Sequence, residues 1–257
     1  MPVTQVRGVD ISWSEQGAGP TLVVAHGLTG SRASSTLDWS VLTENFRVVQ
    51  YDARGHGESG GAPVENDYRW NELAEDLLAL LDVIAPRERV HGIGISMGTA
   101  TLIYAALAQP DRFAGLVLGA VPTAYETRAA QAANYRAAAD FVESQGLAAL
   151  IEVSMNQARA PIFEDTPRPT TGPSVREEIL PQVLRGAALS DLPPRSAVAE
   201  LAVPSLVLAW DTDPGHPVSS AQEVHRLVRG AEMKVATTSH EISLWGRVAS
   251  NFLLGCR

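Results

Sequence analysis

A serine between two glycines stands where a predicted strand gives way to a predicted helix. Residues Gly94–Gly98 read Gly-Ile-Ser-Met-Gly, and a G-x-S-x-G sequence at such a corner exposes the serine oxygen on a sharp turn. The glycines let backbone segments approach each other without a side-chain clash. Taken alone, the pentapeptide is also compatible with a glycine-rich loop between a strand and a helix. Ser96 is therefore a candidate nucleophile that needs support from other residues.

A histidine base is the first support that such a serine needs. A serine hydroxyl is a poor nucleophile near neutral pH until a base, usually histidine, accepts its proton. At corners of this kind the serine is followed along the chain by the acid and then by the histidine. Three of the six histidines precede Ser96, and His225 falls within a predicted helix. Because His216 lies very close in sequence to the candidate acid, we predict His240, which follows a short strand, as the base.

The acid that orients a catalytic histidine is predicted directly after a late strand. Residues 206–210 form that strand, and Asp-Thr-Asp follows it at positions 211–213. Both carboxylates fit by position. Asp213 is preferred because the next two residues, Pro214 and Gly215, form a turn that can hold the side chain away from the strand end. Asp211 remains the alternative.

Two backbone N–H groups are predicted to bind the negative charge that develops on a substrate oxygen. One belongs to Met97, directly after the nucleophile. The other belongs to Leu28, in the loop His26-Gly27-Leu28 that follows the predicted strand over residues 21–25. We interpret His26 as a buried residue that braces this loop through hydrogen bonds, without a catalytic role.

Short apolar segments alternate with longer helical ones along the first half of the chain and again near its end. Strands are predicted over residues 21–25, 46–51, 90–95, 113–119, 206–210 and 233–235. Helices are predicted over residues 70–84, from Ser96 to about Gln109, and over 218–228 and 244–254. This alternation predicts an α/β fold with a mostly parallel central sheet flanked by helices.

The alternation stops after Pro122 and resumes after Leu201. Residues 123–154 are rich in alanine and helical in character, residues 160–174 are rich in proline and threonine, and residues 175–189 are predicted to be helical. We therefore expect a core formed by residues 1–122 and 202–257, with residues 123–201 inserted as a helical cap. Such an insertion between two parts of one sheet is typical of a lid over a site.

Composition narrows the possible partners. The formal net charge of −9 argues against nucleic acid, which binds mainly through lysine and arginine, and gives no attraction to an anionic membrane. Cys256 is the single cysteine, residues 1–10 lack the layout of a signal peptide, and no segment approaches the ~18 apolar residues of a membrane span. We expect a cytoplasmic protein. No metal or cofactor motif is apparent, and the sequence leaves the oligomeric state open.

Taken together, these motifs resemble those of α/β-hydrolase-fold enzymes over nearly the whole chain. The matching segments are His26–Gly30, Tyr51–Ser59, Gly94–Gly98, Pro204–Pro217 and Ser239–Glu241. Their order and spacing are specific in combination, although no single segment is. The resemblance implies a triad of Ser96, Asp213 and His240, with the N–H groups of Leu28 and Met97 as oxyanion donors.

The resemblance also bears on residues outside the triad. It favours the second aspartate of the 211–213 segment over Asp211. In such proteins the DARGHGES segment is usually structural, so we interpret Asp52, Arg54 and His56 as scaffold. Many relatives carry a further glycine where this chain has Thr99, a difference expected to alter packing beneath the nucleophile.

The expected activity is hydrolysis of a carboxylic ester or lactone of a small acyl compound through an acyl-enzyme intermediate. The elbow serine argues against epoxide hydrolases and haloalkane dehalogenases of this fold, which use aspartate there. Three alternatives remain: carbon–carbon bond hydrolysis or a menaquinone-pathway type of lyase, cofactor-free haloperoxidase-like activity, and ligand binding without turnover. The first of these needs a cationic cap, for which the candidates are Arg159, Arg168, Arg176 and Arg185, although these arginines are equally interpretable as solvated surface charges.

Overall fold

Eight strands form one sheet in the computed structural model of the protein, which describes residues 2–33, 39–168 and 172–256. The strands are β1 (Val3–Val6), β2 (Val9–Gln16), β3 (Thr21–Ala25), β4 (Arg47–Tyr51), β5 (Val90–Ile95), β6 (Phe113–Gly119), β7 (Ser205–Trp210) and β8 (Glu232–Ala236). Their order is β1-β2-β4-β3-β5-β6-β7-β8. The pairs β1–β2 and β2–β4 are antiparallel, and the other pairs are parallel. The predicted α/β fold with a mostly parallel sheet is confirmed.

Helices connect the strands. They are α1 (Trp70–Ile84), α2 (Met97–Ala108), α3 (Arg128–Asn156), α4 (Leu180–Ala188), α5 (Arg195–Val198), α6 (Val218–Leu227), α7 (Ser239–Ser243) and α8 (Trp245–Gly255). Short 3-10 turns lie at Ser40–Glu44, Glu65–Tyr68, Pro110–Arg112, Tyr125–Thr127 and Pro161–Phe163. Within the described ranges, no helix combines the length and hydrophobicity needed to cross a bilayer.

Most predicted elements are present with ends within one or two residues, and the exceptions have local causes. The helix predicted from residue 175 begins instead at Leu180, where Pro181 occupies the first turn, a position that suits proline because its nitrogen needs no partner there. Val175 is extended and pairs with His56 in an isolated bridge. The antiparallel strands β1 and β2 had no counterpart in the sequence prediction.

Side chains alternate between the two faces of the sheet, so each face has its own core. On β3, Val23 and Ala25 join a cluster formed with α1, α2 and α6. Leu22 and Val24 point to the other face and pack in a cluster with α8 and the turn Ser40–Glu44. Burial on both sides explains why the central strands read as continuous apolar runs.

Residues 123–201, here called the cap segment, lie in the chain between β6 and β7, and none of the strands described above comes from them. Helices α3 and α4 pack together in a third apolar cluster that also includes Tyr68 of the core. Helix α3 breaks at Gly146, whose φ of 84° is readily accessible only to glycine. After this break, Glu177 Oε1 accepts the Leu147 N–H at 3.0 Å.

A buried ion pair joins the segment after β4 to α1. Arg54 donates through Nε and Nη2 to the two carboxylate oxygens of Asp76, both at 2.7 Å. Arg7 adds a third bond to the same carboxylate at 2.9 Å. The Asp76 side chain is only 3% exposed. Its loss would therefore leave the largely buried Arg54 guanidinium without a bidentate partner.

The first prediction concerns this pair. Asp76→Ala should lower the free energy of unfolding by about 3 kcal/mol, because an unpaired buried charge is costly. Asp82→Ala is the matched control: it lies on the same helix, 3.6 Å from Arg112, but is 63% exposed. The control should change stability by less than about 0.5 kcal/mol. Urea unfolding of both variants measures the difference, and equal losses would contradict the assignment.

Candidate active site

Ser96 lies at the corner between β5 and α2 in a strained conformation. Its φ is 56° and its ψ is −113°, a region that costs a residue with a Cβ of order 1–3 kcal/mol. Crowding beneath the corner maintains this geometry. A Cβ at Gly98 would collide with the Ala25 carbonyl oxygen, and one at Gly94 would collide with that of Gly98. The two glycines therefore let the backbone pack closely, and the half-buried serine projects from the corner.

Thr99 occupies the position where the family resemblance led us to expect a glycine. Its buried hydroxyl lies 2.8 Å from the Gly94 carbonyl oxygen and 2.6 Å from that of Gly119. The Ser96 N–H also donates to Gly119, at 3.0 Å. The threonine hydroxyl thus links the ends of β5 and β6 directly beneath the nucleophile, in place of the close backbone packing that a glycine would allow.

The histidine beside Ser96 is His216, which corrects the prediction of His240. His216 Nε2 lies 2.8 Å from Ser96 Oγ, and His216 Nδ1 lies 2.8 Å from Asp213 Oδ2. Because the carboxylate can only accept, Nδ1 carries the proton and Nε2 is left to accept from the serine hydroxyl. The three side chains form a continuous hydrogen-bonded series.

His216 was rejected in the sequence analysis because it lies so close in sequence to Asp213. The structure shows that a tight turn, Asp213–His216, brings the two side chains together despite this short separation. The His216 N–H donates to the Asp213 carbonyl at 3.2 Å, and the Gly215 N–H donates to Asp213 Oδ1 at 2.8 Å. The first and last residues of a tight turn lie close together, so their side chains can meet. Aspartate followed by Pro-Gly and then histidine was the sequence signal for this arrangement, and the sequence prediction used only its first half.

His240 lies on the first turn of α7, where it is exposed to solvent. Thr238 Oγ1 accepts the Glu241 N–H at 3.2 Å, while Glu241 Oε2 accepts the N–H groups of Thr237 and Thr238 at 2.6 and 3.2 Å. This reciprocal capping box starts a helix at Ser239, where a loop was predicted. The Thr-x-x-Glu pattern is its sequence signature.

Asp213 is the aspartate that the structure brings to the histidine. Its Oδ2 accepts from His216 and, at 2.9 Å, from Trp210 Nε1. Burial raises the pKa of Asp213, but the bonds from His216, Trp210 and the Gly215 N–H outweigh it and lower the pKa to about 2. This carboxylate is therefore ionised at neutral pH. The alternative, Asp211, bonds through its N–H to Ala236 of β8.

Both predicted oxyanion donors lie near Ser96: Met97 begins α2 directly after it, and Leu28 lies in the loop after β3. A Cβ at Gly27 would stand 3.5 Å from Ser96 Cβ, so the Leu28 loop passes beside the serine. In the described part of the chain, neither the Leu28 nor the Met97 N–H has a hydrogen-bond acceptor. Both groups are thus available to a substrate oxygen.

His26 holds the Leu28 loop through both ring nitrogens. Its Nδ1 donates to the Gly27 carbonyl at 2.8 Å, and its Nε2 accepts the Ala53 N–H at 2.9 Å. Burial lowers the pKa of His26, and these partners require the neutral ring. This geometry fits the interpretation of His26 as a brace.

The cap segment contacts the core on two sides of the site. On one side, the Ser174 N–H donates to Thr29 and the Ser174 carbonyl accepts the Gly57 N–H, both at 2.7 Å. On the other side, the Ile162 N–H donates to Thr212 Oγ1 at 3.1 Å. The cap segment is thus attached both to the loop that carries one oxyanion donor and to the loop that carries the acid and the histidine.

Comparison with known proteins places the chain in a family. The profile of the alpha/beta hydrolase fold family matches residues 20–151, about half of the chain, which therefore belongs to that family. The sequence is 26% identical over 246 residues to 3-oxoadipate enol-lactonase 1 of Acinetobacter baylyi, covering 93% of this chain and 89% of that protein.

Solved structures agree on the fold. The enol-lactonase from Burkholderia xenovorans LB400 superposes with a TM-score of 0.81 at 22% identity, covering 98% of this chain and 100% of that one. A thermophilic esterase from Thermogutta terrifontis gives a TM-score of 0.78 at 23% identity, with 97% and 94% covered. Membership of the family, together with its sequence relatives, identifies the protein as a hydrolase.

A second prediction follows from a buried histidine beside the His26 brace. His56 donates through Nδ1 to the Arg54 carbonyl at 2.9 Å, and burial, with a smaller effect of His26, lowers the pKa of His56 from 6.5 to about 3. The unfolded chain therefore binds a proton that the folded chain excludes. The contribution of His56 to the free energy of unfolding is complete above about pH 6.5. It should decrease as the pH falls towards 3, by about 1.4 kcal/mol per pH unit.

Urea unfolding at a series of pH values between about 4 and 7 measures this slope. In His56→Leu the free energy of unfolding should depend less steeply on pH, by the equivalent of about one proton fewer taken up on unfolding than in the wild type. His225→Leu, at an exposed position on α6, is the control and should keep the wild-type slope. An unchanged slope in His56→Leu would contradict the role given to this histidine.

Proposed function

We propose that the protein hydrolyses a carboxylic ester or a lactone through an acyl-enzyme formed on Ser96. The observation that carries the proposal is the hydrogen-bonded series from Asp213 through His216 to Ser96, with 2.8 Å at each of its two contacts. A histidine whose far nitrogen is fixed by a carboxylate and whose near nitrogen faces a serine hydroxyl has the geometry of a general base. His216 takes this role in the proposal, in place of His240.

In the first half of the reaction, Ser96 Oγ attacks the carbonyl carbon while its proton passes to His216 Nε2. The substrate oxygen becomes an oxyanion, which accepts hydrogen bonds from the N–H groups of Leu28 and Met97. The ionised Asp213 stabilises the imidazolium. When the tetrahedral intermediate collapses, the carbon–oxygen bond to the leaving alkoxide breaks and His216 gives that alkoxide its proton.

In the second half, water attacks the acyl-enzyme. His216 accepts a proton from the water, the same backbone donors bind the new oxyanion, and the proton returns to Ser96 as the acid product leaves. With a lactone, the alcohol released in the first half stays attached to the acyl group, so the product is a hydroxy acid, or a keto acid when the lactone is an enol lactone.

Enol-lactonase relatives support the inclusion of lactones among the substrates. Two of them, at 26% and 27% identity, align with 93% and 86% of this chain. The cap segment is attached to the Leu28 loop and to the loop that carries Asp213 and His216, so it lies where it can contact the acyl group of a substrate. We propose that these helices act as a lid whose lining selects the acyl group.

The cap arginines give less support to an anionic substrate and therefore to the carbon–carbon alternative. Arg185 binds Asp140 and Glu143 at 2.6 and 2.5 Å. Arg159 donates to Thr166, and Arg176 to the Gly61 carbonyl at 3.3 Å. The Arg185 guanidinium, which two carboxylates already neutralise, must release them before it can bind a substrate carboxylate.

The third prediction tests the reaction class. A fluorophosphonate probe should label the protein covalently, and Ser96→Ala should abolish both the labelling and the turnover of nitrophenyl acetate and a small lactone. Thermal unfolding of the variant, which should match that of the wild type, shows that the loss is chemical. Folded wild-type protein without labelling would favour ligand binding without turnover, and cleavage confined to a vinylogous diketone would favour carbon–carbon chemistry.

The fourth prediction separates the two histidines. His216→Ala should lower kcat/KM for the same esters by about 10³-fold, since a positioned general base contributes roughly 10²–10⁴-fold. His240→Ala should change it by less than about twofold, because the side chain faces solvent. Steady-state kinetics on both variants decides between them, and the opposite pattern would restore His240 as the base.

A further inference from the structure

Trp210, the last residue of β7, contacts the acid, the histidine and the cap segment at once. Its indole Nε1 donates to Asp213 Oδ2 at 2.9 Å. Its ring meets the His216 ring edge-to-face, with centroids 5.6 Å apart. Phe163 of the cap segment contacts it edge-to-face at 5.2 Å. No step of the proposed reaction uses this side chain.

We propose that Trp210 is a positioning residue that holds the Asp213 carboxylate and the His216 ring in register with Ser96. This inference rests on the proposed function. The indole N–H holds the Asp213 carboxylate against the end of β7, and the indole ring limits the tilt of the His216 imidazole.

The need for an anchor follows from the short turn that carries both the acid and the base. Among the donors that the described residues supply to Asp213, Trp210 alone lies outside the turn that ends at His216. The other two donors move with the turn, so they fix its internal shape but not its placement. Ser96, by contrast, is 120 positions from His216 in sequence and lies just after the end of a different strand, β5. The Trp210 bond to the acid, together with the bond from the Thr123 N–H to the Gly215 carbonyl at 3.3 Å, sets the position of the turn relative to Ser96.

Trp210 is itself well held, as an anchor must be. It stacks on Trp245 of α8 with centroids 5.1 Å apart and an interplanar angle of 18°. Only 8% of Trp210 is exposed, and β7 is paired on both sides, by β6 and β8. The direction of the indole N–H is therefore set by the core and the cap together.

Loss of this N–H has two consequences for the reaction. The turn can shift relative to Ser96, and misplacement of a reacting group by about 1 Å costs about 10²-fold in rate. In addition, burial raises the pKa of Asp213 while the Trp210 bond helps to lower it. Without that bond the carboxylate is more basic and stabilises a protonated His216 more strongly, so the acidic limb of the activity profile moves to higher pH.

The fifth prediction uses two substitutions at this position. Trp210→Phe removes the N–H and shortens the ring. Benzothienylalanine, inserted at position 210 by amber suppression, replaces the N–H with sulfur and keeps the size of the indole. Both should lower kcat for an ester substrate by about 10- to 100-fold, with KM changed less than threefold and the acidic limb moved to higher pH. Trp13→Phe is the matched control, because it removes an indole N–H bond of the same kind, to Thr4 Oγ1 at 3.0 Å, without touching Asp213. It should keep the wild-type kcat and acidic limb.

The possible outcomes are distinguishable. Wild-type kcat and acidic limb in the folded benzothienylalanine variant would overturn the positioning role, and so would an equal loss of kcat in Trp13→Phe. If the wild-type enzyme itself shows no Ser96-dependent labelling or turnover, it is the proposed function that fails.

Discussion

The hydrogen bond between Ser96 Oγ and His216 Nε2 joins two residues that are 120 positions apart in sequence and follow different strands of the sheet, β5 and β7. It forms only if both ends of the bond are fixed. On the serine side, the close packing of Gly98 against Ala25 leaves the nucleophile in a left-handed conformation above the sheet. On the histidine side, a four-residue turn presents the acid and the base together. The chemistry of the site depends on how these two corners are held relative to each other.

The surroundings of the site serve this alignment. His26 orders the loop that offers the Leu28 N–H, and Thr99 links the strand ends beneath Ser96. The cap segment adds contacts from outside, through Ser174 to one loop and through Ile162 to the other. A movement of the cap segment would therefore act on both the Leu28 loop and the loop that carries Asp213 and His216.

The fold was predictable from the sequence, and so were the serine at the corner and the aspartate after β7 that the structure brings close to one histidine, because each has a local signature. Buried parallel strands read as short apolar runs, as in β3 and β6, and the G-x-S-x-G corner follows from sterics within five residues. Strand β1 was missed because it has only four residues and little burial. Strand β2 alternates Val9, Ile11 and Trp13 with polar residues, a pattern typical of a strand that the sequence prediction overlooked. His216 was missed because closeness in sequence to Asp213 was taken as an obstacle, whereas a tight turn makes it an advantage.

The sequence by itself determined the order of strands and helices, the corner that exposes Ser96 and the presence of a carboxylate after β7. These features depend on local sterics and on the alternation of apolar residues, and both act between residues that are close in sequence. Only the tertiary structure decided which histidine faces the serine. Two separate local structures are responsible. The capping box of Thr238 and Glu241 places His240 in an exposed helical turn, and the turn after Trp210 places His216 beside Ser96.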